Sequence, residues 1–143
     1  DQPTVVNNVE TFIAAAQIIL NGVDWFRAVG TEQSSGTKLL SISGDCARPG
    51  IYEFPLGTAI GEVLSECGAG DTQAVQVGGP SGQLVAASES GRQLSFDDLS
   101  TCGSFIVFEP DVAVVDASGT VIDDPRTDLG YVSGELRVCL VDH

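Results

Sequence analysis

Basic residues are scarce in this chain: 6 Lys and Arg stand against 20 Asp and Glu, a formal net charge of −14 at pH 7. Nucleic-acid affinity comes largely from Lys and Arg displacing counterions condensed on phosphates, so a surface this acidic argues against a nucleic-acid partner. Anionic membrane surfaces repel it for the same reason. Long apolar runs are missing too. The longest, Phe12 to Leu20, is interrupted by Gln17 and falls far below the roughly 20 residues that a membrane span requires. No basic segment precedes it, which argues against a secretory signal. The expectation is a soluble, cytoplasmic protein whose acidity serves solubility.

Histidine occurs once, as the last residue, His143. That leaves no Ser/His/Asp or Cys/His constellation, and no catalytic residue is nominated. The four cysteines, Cys46, Cys67, Cys102 and Cys139, are scattered without a Cys-x-x-Cys pair. Zinc and iron–sulfur sites usually draw at least two ligands from one tight turn, so no metal site is expected. Buried free thiols are the default reading. Arg48 could lower the pKa of the nearby Cys46 thiol, but Asp45 opposes it, and the segment reads as turn chemistry. Asp97-Asp98 and Asp123-Asp124 lack the alternating oxygen ligands and glycine of a calcium loop and read as solvated loop charge. Gly78-Gly-Pro-Ser-Gly82 has neither the lysine nor the following helix of a phosphate loop, and reads as an ordinary turn.

What is present is the material for a core: 43% of the 143 residues are hydrophobic, enough for one domain or a small domain with a helical flank. Val9, Phe12, Ile13, Ala16, Ile19 and Leu20 recur at helical spacing. Asn21-Gly22 stops that helix, and a short second one is predicted over 23–29, with Trp25-Phe26 packing against the following domain. Residues 31–36 form a polar, Ser- and Gly-containing connector, the best internal boundary. Strands are predicted at 39–43 and 51–54 as a hairpin, and Thr58 as the cap of a helix carrying Ile60, Val63 and Leu64 that ends at Gly68. Further strands are predicted at 74–77, 84–86 and 104–108. The order strand, strand, helix, strand, strand, strand is that of a β-grasp, a mixed sheet over one helix, and is also compatible with other small α+β folds. Residues 110–143 read as a strand-rich tail.

The richest polar stretch is Pro3-Thr-Val-Val-Asn-Asn-Val-Glu-Thr11. The start of a helix needs one capping side chain for its unpartnered N–H groups. Asn7, Asn8, Glu10 and Thr11 exceed that need and suggest a small polar ligand at the helix mouth. Capping and turn formation by the asparagines, and attraction of Glu10 to the helix dipole, are the alternative explanations.

Together with Asn21-Gly-x-x-Trp-Phe26, Gly36-Thr-Lys-Leu39, Ser43-Gly-Asp-Cys-Ala-Arg-Pro-Gly-Ile-Tyr52, Gly78-Gly-Pro-Ser-Gly82 and Gly103-Ser-Phe-Ile-Val-Phe108, that stretch resembles one family across residues 3–109. The family is the flavin-bearing, NADH-oxidising (diaphorase) subunit of respiratory complex I, NAD-reducing hydrogenases and NAD-dependent formate dehydrogenases. The resemblance implies that residues 1–30 correspond to the end of an FMN-binding domain. It also implies that 37–109 form a soluble-ligand-binding β-grasp domain. Asn7 and Asn8 would contact FMN, with Glu10 and Thr11 beside them. FMN and NAD are the implied cofactors, and the remaining flavin and iron–sulfur domains or subunits the implied partners. Two departures stand out. The family's glycine-rich phosphate loop and its cluster-binding cysteine motif have no counterpart here, so the chain alone is expected to bind neither cofactor and to be inactive. A free-standing, non-catalytic β-grasp binding module is the alternative reading.

Overall fold

A computed structural model describes residues 2–79 and 82–110. The expected strand-rich tail, with Asp123-Asp124, Cys139 and His143, lies outside the described residues. Two helices come first, α1 (Val9–Asn21) and α2 (Val23–Arg27). The hairpin β1 (Thr37–Gly44) and β2 (Gly50–Pro55) follows, then helix α3 (Ile60–Cys67) and strands β3 (Ala74–Val77), β4 (Gln83–Ala86) and β5 (Ser104–Phe108). The strands form one sheet in the order β2-β1-β5-β3-β4. Only the central β1–β5 pair is parallel; β1–β2, β3–β4 and β3–β5 are antiparallel. This is the expected α+β architecture, a mixed sheet over one helix.

Strand alternation places one set of side chains under α3. The register aligns Ile42, Phe105 and Val77 in one cross-strand row. Val107, Val75 and Val85 form the next. Helix α3 meets these rows with Ile60, Val63, Leu64 and Cys67, spaced i, i+3, i+4, i+7, so that one stripe is fully buried. Each large side chain removed from water in this way contributes about 1.5–3 kcal/mol. The helix stops at Gly68, whose left-handed φ of 74° and close approach to Ala47 leave no room for a Cβ.

The fold corrects several local expectations. Thr58 does not cap α3; its hydroxyl donates to Pro55 O at 2.7 Å, and the cap position is Ala59. The first-turn amides of α3 are met instead by backbone carbonyls, Ile60 N–H donating to Arg92 O and Gly61 N–H to Ser90 O. Helix α2 ends at Arg27, short of the expected Val29. Its Phe26 ring lies against Gly36, filling the space a Cβ would need, whereas Trp25 remains exposed. The 31–36 connector is not a loose tether. Ser34 is buried, its hydroxyl donating to Asp97 Oδ1 at 3.1 Å and accepting from Phe96 N at 3.0 Å.

Candidate functional site

The segment before α1 is organised by short-range hydrogen bonds. Asn7 Oδ1 accepts from Asn8 N at 2.8 Å, and Asn8 Oδ1 accepts from Glu10 N at 2.8 Å, which makes Asn8 the N-cap of α1. Both carboxamide oxygens are thereby occupied in starting the helix. The Asn7 and Asn8 Nδ2 groups and the Thr11 hydroxyl make no hydrogen bond within the described residues, and all three side chains are exposed.

Glu10 serves a different end. Its carboxylate pairs with the Lys38 ammonium and accepts from Leu39 N at 3.2 Å, which ties the first turn of α1 to β1. Partial burial alone would raise its pKa. The Lys38 hydrogen bond and charge and the Leu39 N–H outweigh that, and the carboxyl is held below its ordinary value of 4.5. The four nominated residues thus lie together, but they divide into two kinds: three outward-facing donor side chains, and one carboxylate already satisfied by the sheet domain.

The donor set fits one edge of an isoalloxazine, whose ring carbonyls accept hydrogen bonds from amide and hydroxyl groups. It does not fit a pyridine dinucleotide, whose pyrophosphate needs a row of free backbone N–H groups. At the glycine-rich turn, Gly78 N–H donates to Ser104 O and Gly82 N–H to Gly79 O. Gly79 O also accepts from Gln76 Nε2 at 3.1 Å. Those amides are consumed by the fold. No group of three or more His, Cys, Asp or Glu able to hold a metal ion is found among the described residues. Asp97 and Asp98 are not merely solvated charge. Asp97 holds Ser34, while Asp98 accepts from Gln93 N at 2.7 Å and pairs with Arg92 Nε at 3.0 Å, and these contacts hold its carboxyl below its ordinary range.

The face of α1 beside this segment is apolar and bare. None of its residues is buried, and Val9, Phe12, Ile13, Ile19 and Leu20 are all exposed, Ile19 by 83%. No helix among the described residues is long and apolar enough to cross a membrane.

A second constellation was not visible as such in the sequence. The hairpin tip between β1 and β2 lies along the C-terminus of α3: Ala47 N–H donates to Gly68 O at 3.3 Å and Arg48 N–H to Cys67 O at 2.9 Å. The Arg48 guanidinium donates to the carbonyl of Glu66 and to that of Ser65, which also accepts from Gly68 N–H, where a cation also complements the negative end of the helix dipole. Arg48 is therefore a helix cap supplied from 17 to 18 residues away. Of the three described cysteines, all expected to be buried, only Cys67 is; Cys46 is half-buried and Cys102 exposed.

Comparison with known proteins finds relatives of this chain. Residues 39–85 match the SLBB domain family. The alpha subunit of the NAD-reducing hydrogenase HoxS of Cupriavidus necator is 53% identical over 108 residues, covering 75% of this chain and 18% of that subunit. The NADP-reducing hydrogenase subunit HndC of Solidesulfovibrio fructosivorans is 35% identical over 134 residues, 86% of this chain and 27% of that protein. A subunit of the NADH-quinone oxidoreductase of Escherichia coli is 32% identical over 108 residues, 72% of this chain and 24% of that polypeptide. A crystal structure of an NAD+-reducing NiFe hydrogenase in the H2-reduced state superposes with a TM-score of 0.70 at 51% identity, covering 75% of this chain and 19% of that one. The chain thus spans between 18% and 27% of the length of the three curated relatives.

Proposed function

We propose that this chain, which carries an SLBB domain and is homologous to one segment of the NADH-oxidising subunits of NAD-linked hydrogenases and complex I, acts as the spacer of such a subunit. It would hold the flavin-bearing part at a fixed distance from the iron–sulfur-bearing part and contribute donors to one edge of the flavin. The observation that carries this reading is the 53% identity over 108 residues to the hydrogenase alpha subunit. Relatives named as subunits of larger complexes support partner domains or subunits on its surfaces.

The residues divide the work. Asn7 and Asn8 use their carboxamide oxygens to start α1, which aims the two Nδ2 groups outward together with the Thr11 hydroxyl. Glu10, through Lys38 and Leu39 N–H, fixes that donor cluster to the first strand of the sheet. The cluster is thereby placed by the rigid domain rather than by a free terminus. FMN, when bound, supplies the hydride acceptor that couples two-electron NADH oxidation to single-electron transfer. The bare stripe of α1 is the face that the flavin-bearing part would cover.

Three measurements test this reading. A chimera in which residues 3–109 replace the homologous segment of the Cupriavidus necator alpha subunit is expected to retain NADH-driven dye reduction. Asn7→Ala with Asn8→Ala in that chimera is expected to lower its FMN content. Loss of all activity in a folded chimera, or FMN content unaffected by the pair, would overturn the proposal. Titrating FMN into the chain alone is expected to leave the flavin fluorescent, because a few donors without a phosphate cradle supply little affinity. Tight stoichiometric quenching would refute the spacer role.

A further inference from the structure

The hairpin tip and the end of α3 bring together two residues that neither the core nor the proposed function requires to be cysteine. Cys67 closes the buried stripe of α3 and is 0% exposed. Cys46 sits in the tip, half-buried against the same core. The backbones beside them are joined by the Ala47–Gly68 and Arg48–Cys67 hydrogen bonds, and Cys46 packs against the core cluster to which Cys67 belongs. Tip and helix end are held in this register by the Arg48 fork and by the tight approach of Ala47 to Gly68. We propose that Cys46 and Cys67 form a redox-modification site, a dithiol that hydrogen peroxide converts into a disulfide clasp between the β1–β2 hairpin and α3.

The asymmetry of the pair sets the order of events. Burial pushes the Cys67 thiol up, and the neighbouring Cys46 adds to that, so Cys67 is a poor first nucleophile. Cys46 is accessible and reacts first. Its sulfur, as thiolate, attacks one peroxide oxygen; the O–O bond breaks, and the departing hydroxide takes the thiol proton and leaves as water. The resulting Cys46 sulfenic acid faces Cys67, whose sulfur displaces the second hydroxide as the S–O bond breaks. That hydroxide takes the Cys67 proton and leaves as the second water. Two thiols have lost two electrons, and the peroxide has become two waters. In a reducing compartment the thiols re-form, so the clasp records an oxidant pulse rather than persisting.

The test uses the full chain with its four cysteines. After hydrogen peroxide treatment, peptide mapping without reductant is expected to find a Cys46–Cys67 crosslink. The thiol titre falls by two, and the thermal midpoint rises by on the order of 10 °C, reversibly with dithiothreitol. Cys46→Ser is expected to abolish the crosslink and leave Cys67 as a thiol. Cys67→Ser, if folded, is expected to trap Cys46 as the sulfenic acid, detectable with dimedone. A crosslink that pairs Cys46 or Cys67 with Cys102 or Cys139 would overturn the proposal, as would both residues remaining thiols while Cys102 oxidises. The mapping of the unsubstituted chain decides the matter even if Cys67→Ser does not fold.

Discussion

Helices α1 and α3 carry the same kind of apolar stripe and meet opposite fates. The 13 residues of α1 bury none of theirs, while the 8 of α3 bury Ile60, Val63, Leu64 and Cys67 completely or nearly so. Periodicity therefore identifies a helix that has an apolar face; it does not say whether this stretch of chain supplies the surface to cover it. What α3 has and α1 lacks is a sheet whose inward rows cover its stripe. What α1 has instead is a polar strap, Glu10 to Lys38 and Leu39, holding it to the edge of the domain.

Substitutions that break this contrast should scale with burial. The largest effect is expected for Phe105→Ala, at 0% exposure between Ile42 and Val77, which should cost about 3–5 kcal/mol in urea denaturation. Arg48→Ala removes the borrowed cap of α3 and is expected to cost about 1 kcal/mol, with α3 amides exchanging faster while α1 amides are unaffected.

How much of this was legible in the sequence follows from the reach of each interaction. The strands and α3 stand where alternation and helical spacing predicted them, because those patterns are written within a few neighbouring residues. Gly68 was legible for the same reason. Arg48 as a cap, the Ser34–Asp97 contact and the docking of the hairpin tip on the end of α3 were not, since each joins residues far apart in the chain that only the fold brings side by side. Asn8 shows a subtler limit. The surplus of polar groups before α1 was visible, but not that the asparagine oxygens and Glu10 are taken up within the fold, leaving the Nδ2 groups and Thr11 facing out.

A smaller effect is expected from pH, and it should fall on α1 rather than on the sheet. Glu10 is held below its ordinary value of 4.5 in the folded chain. Its contribution is therefore fully present above that value and is lost as pH falls through the lower, folded one. Protection of the α1 and Lys38 amides against hydrogen exchange, relative to the intrinsic rate at each pH, should fall on acidification below about pH 4.5, and Glu10→Gln should remove that dependence while sparing α3. If α3 loosens first, the contrast between the helices is wrong. The smallest effect is expected for Ile19→Ala. At 83% exposure it should shift stability by no more than about 0.5 kcal/mol, and a larger loss would mean that the stripe of α1 is covered within this chain.

The parallel pairing of β1 with β5 has a mechanical consequence. The strands that open and close the sheet lie side by side, Ser41 to Gly44 against Ser104 to Val107, and run in the same direction. Tension applied before Thr37 and after Phe108 therefore pulls the two strands past each other along their length. Their evenly spaced hydrogen bonds are loaded together rather than peeled one at a time. A domain placed between two larger bodies and tugged by their movements would transmit that strain as a stiff strut.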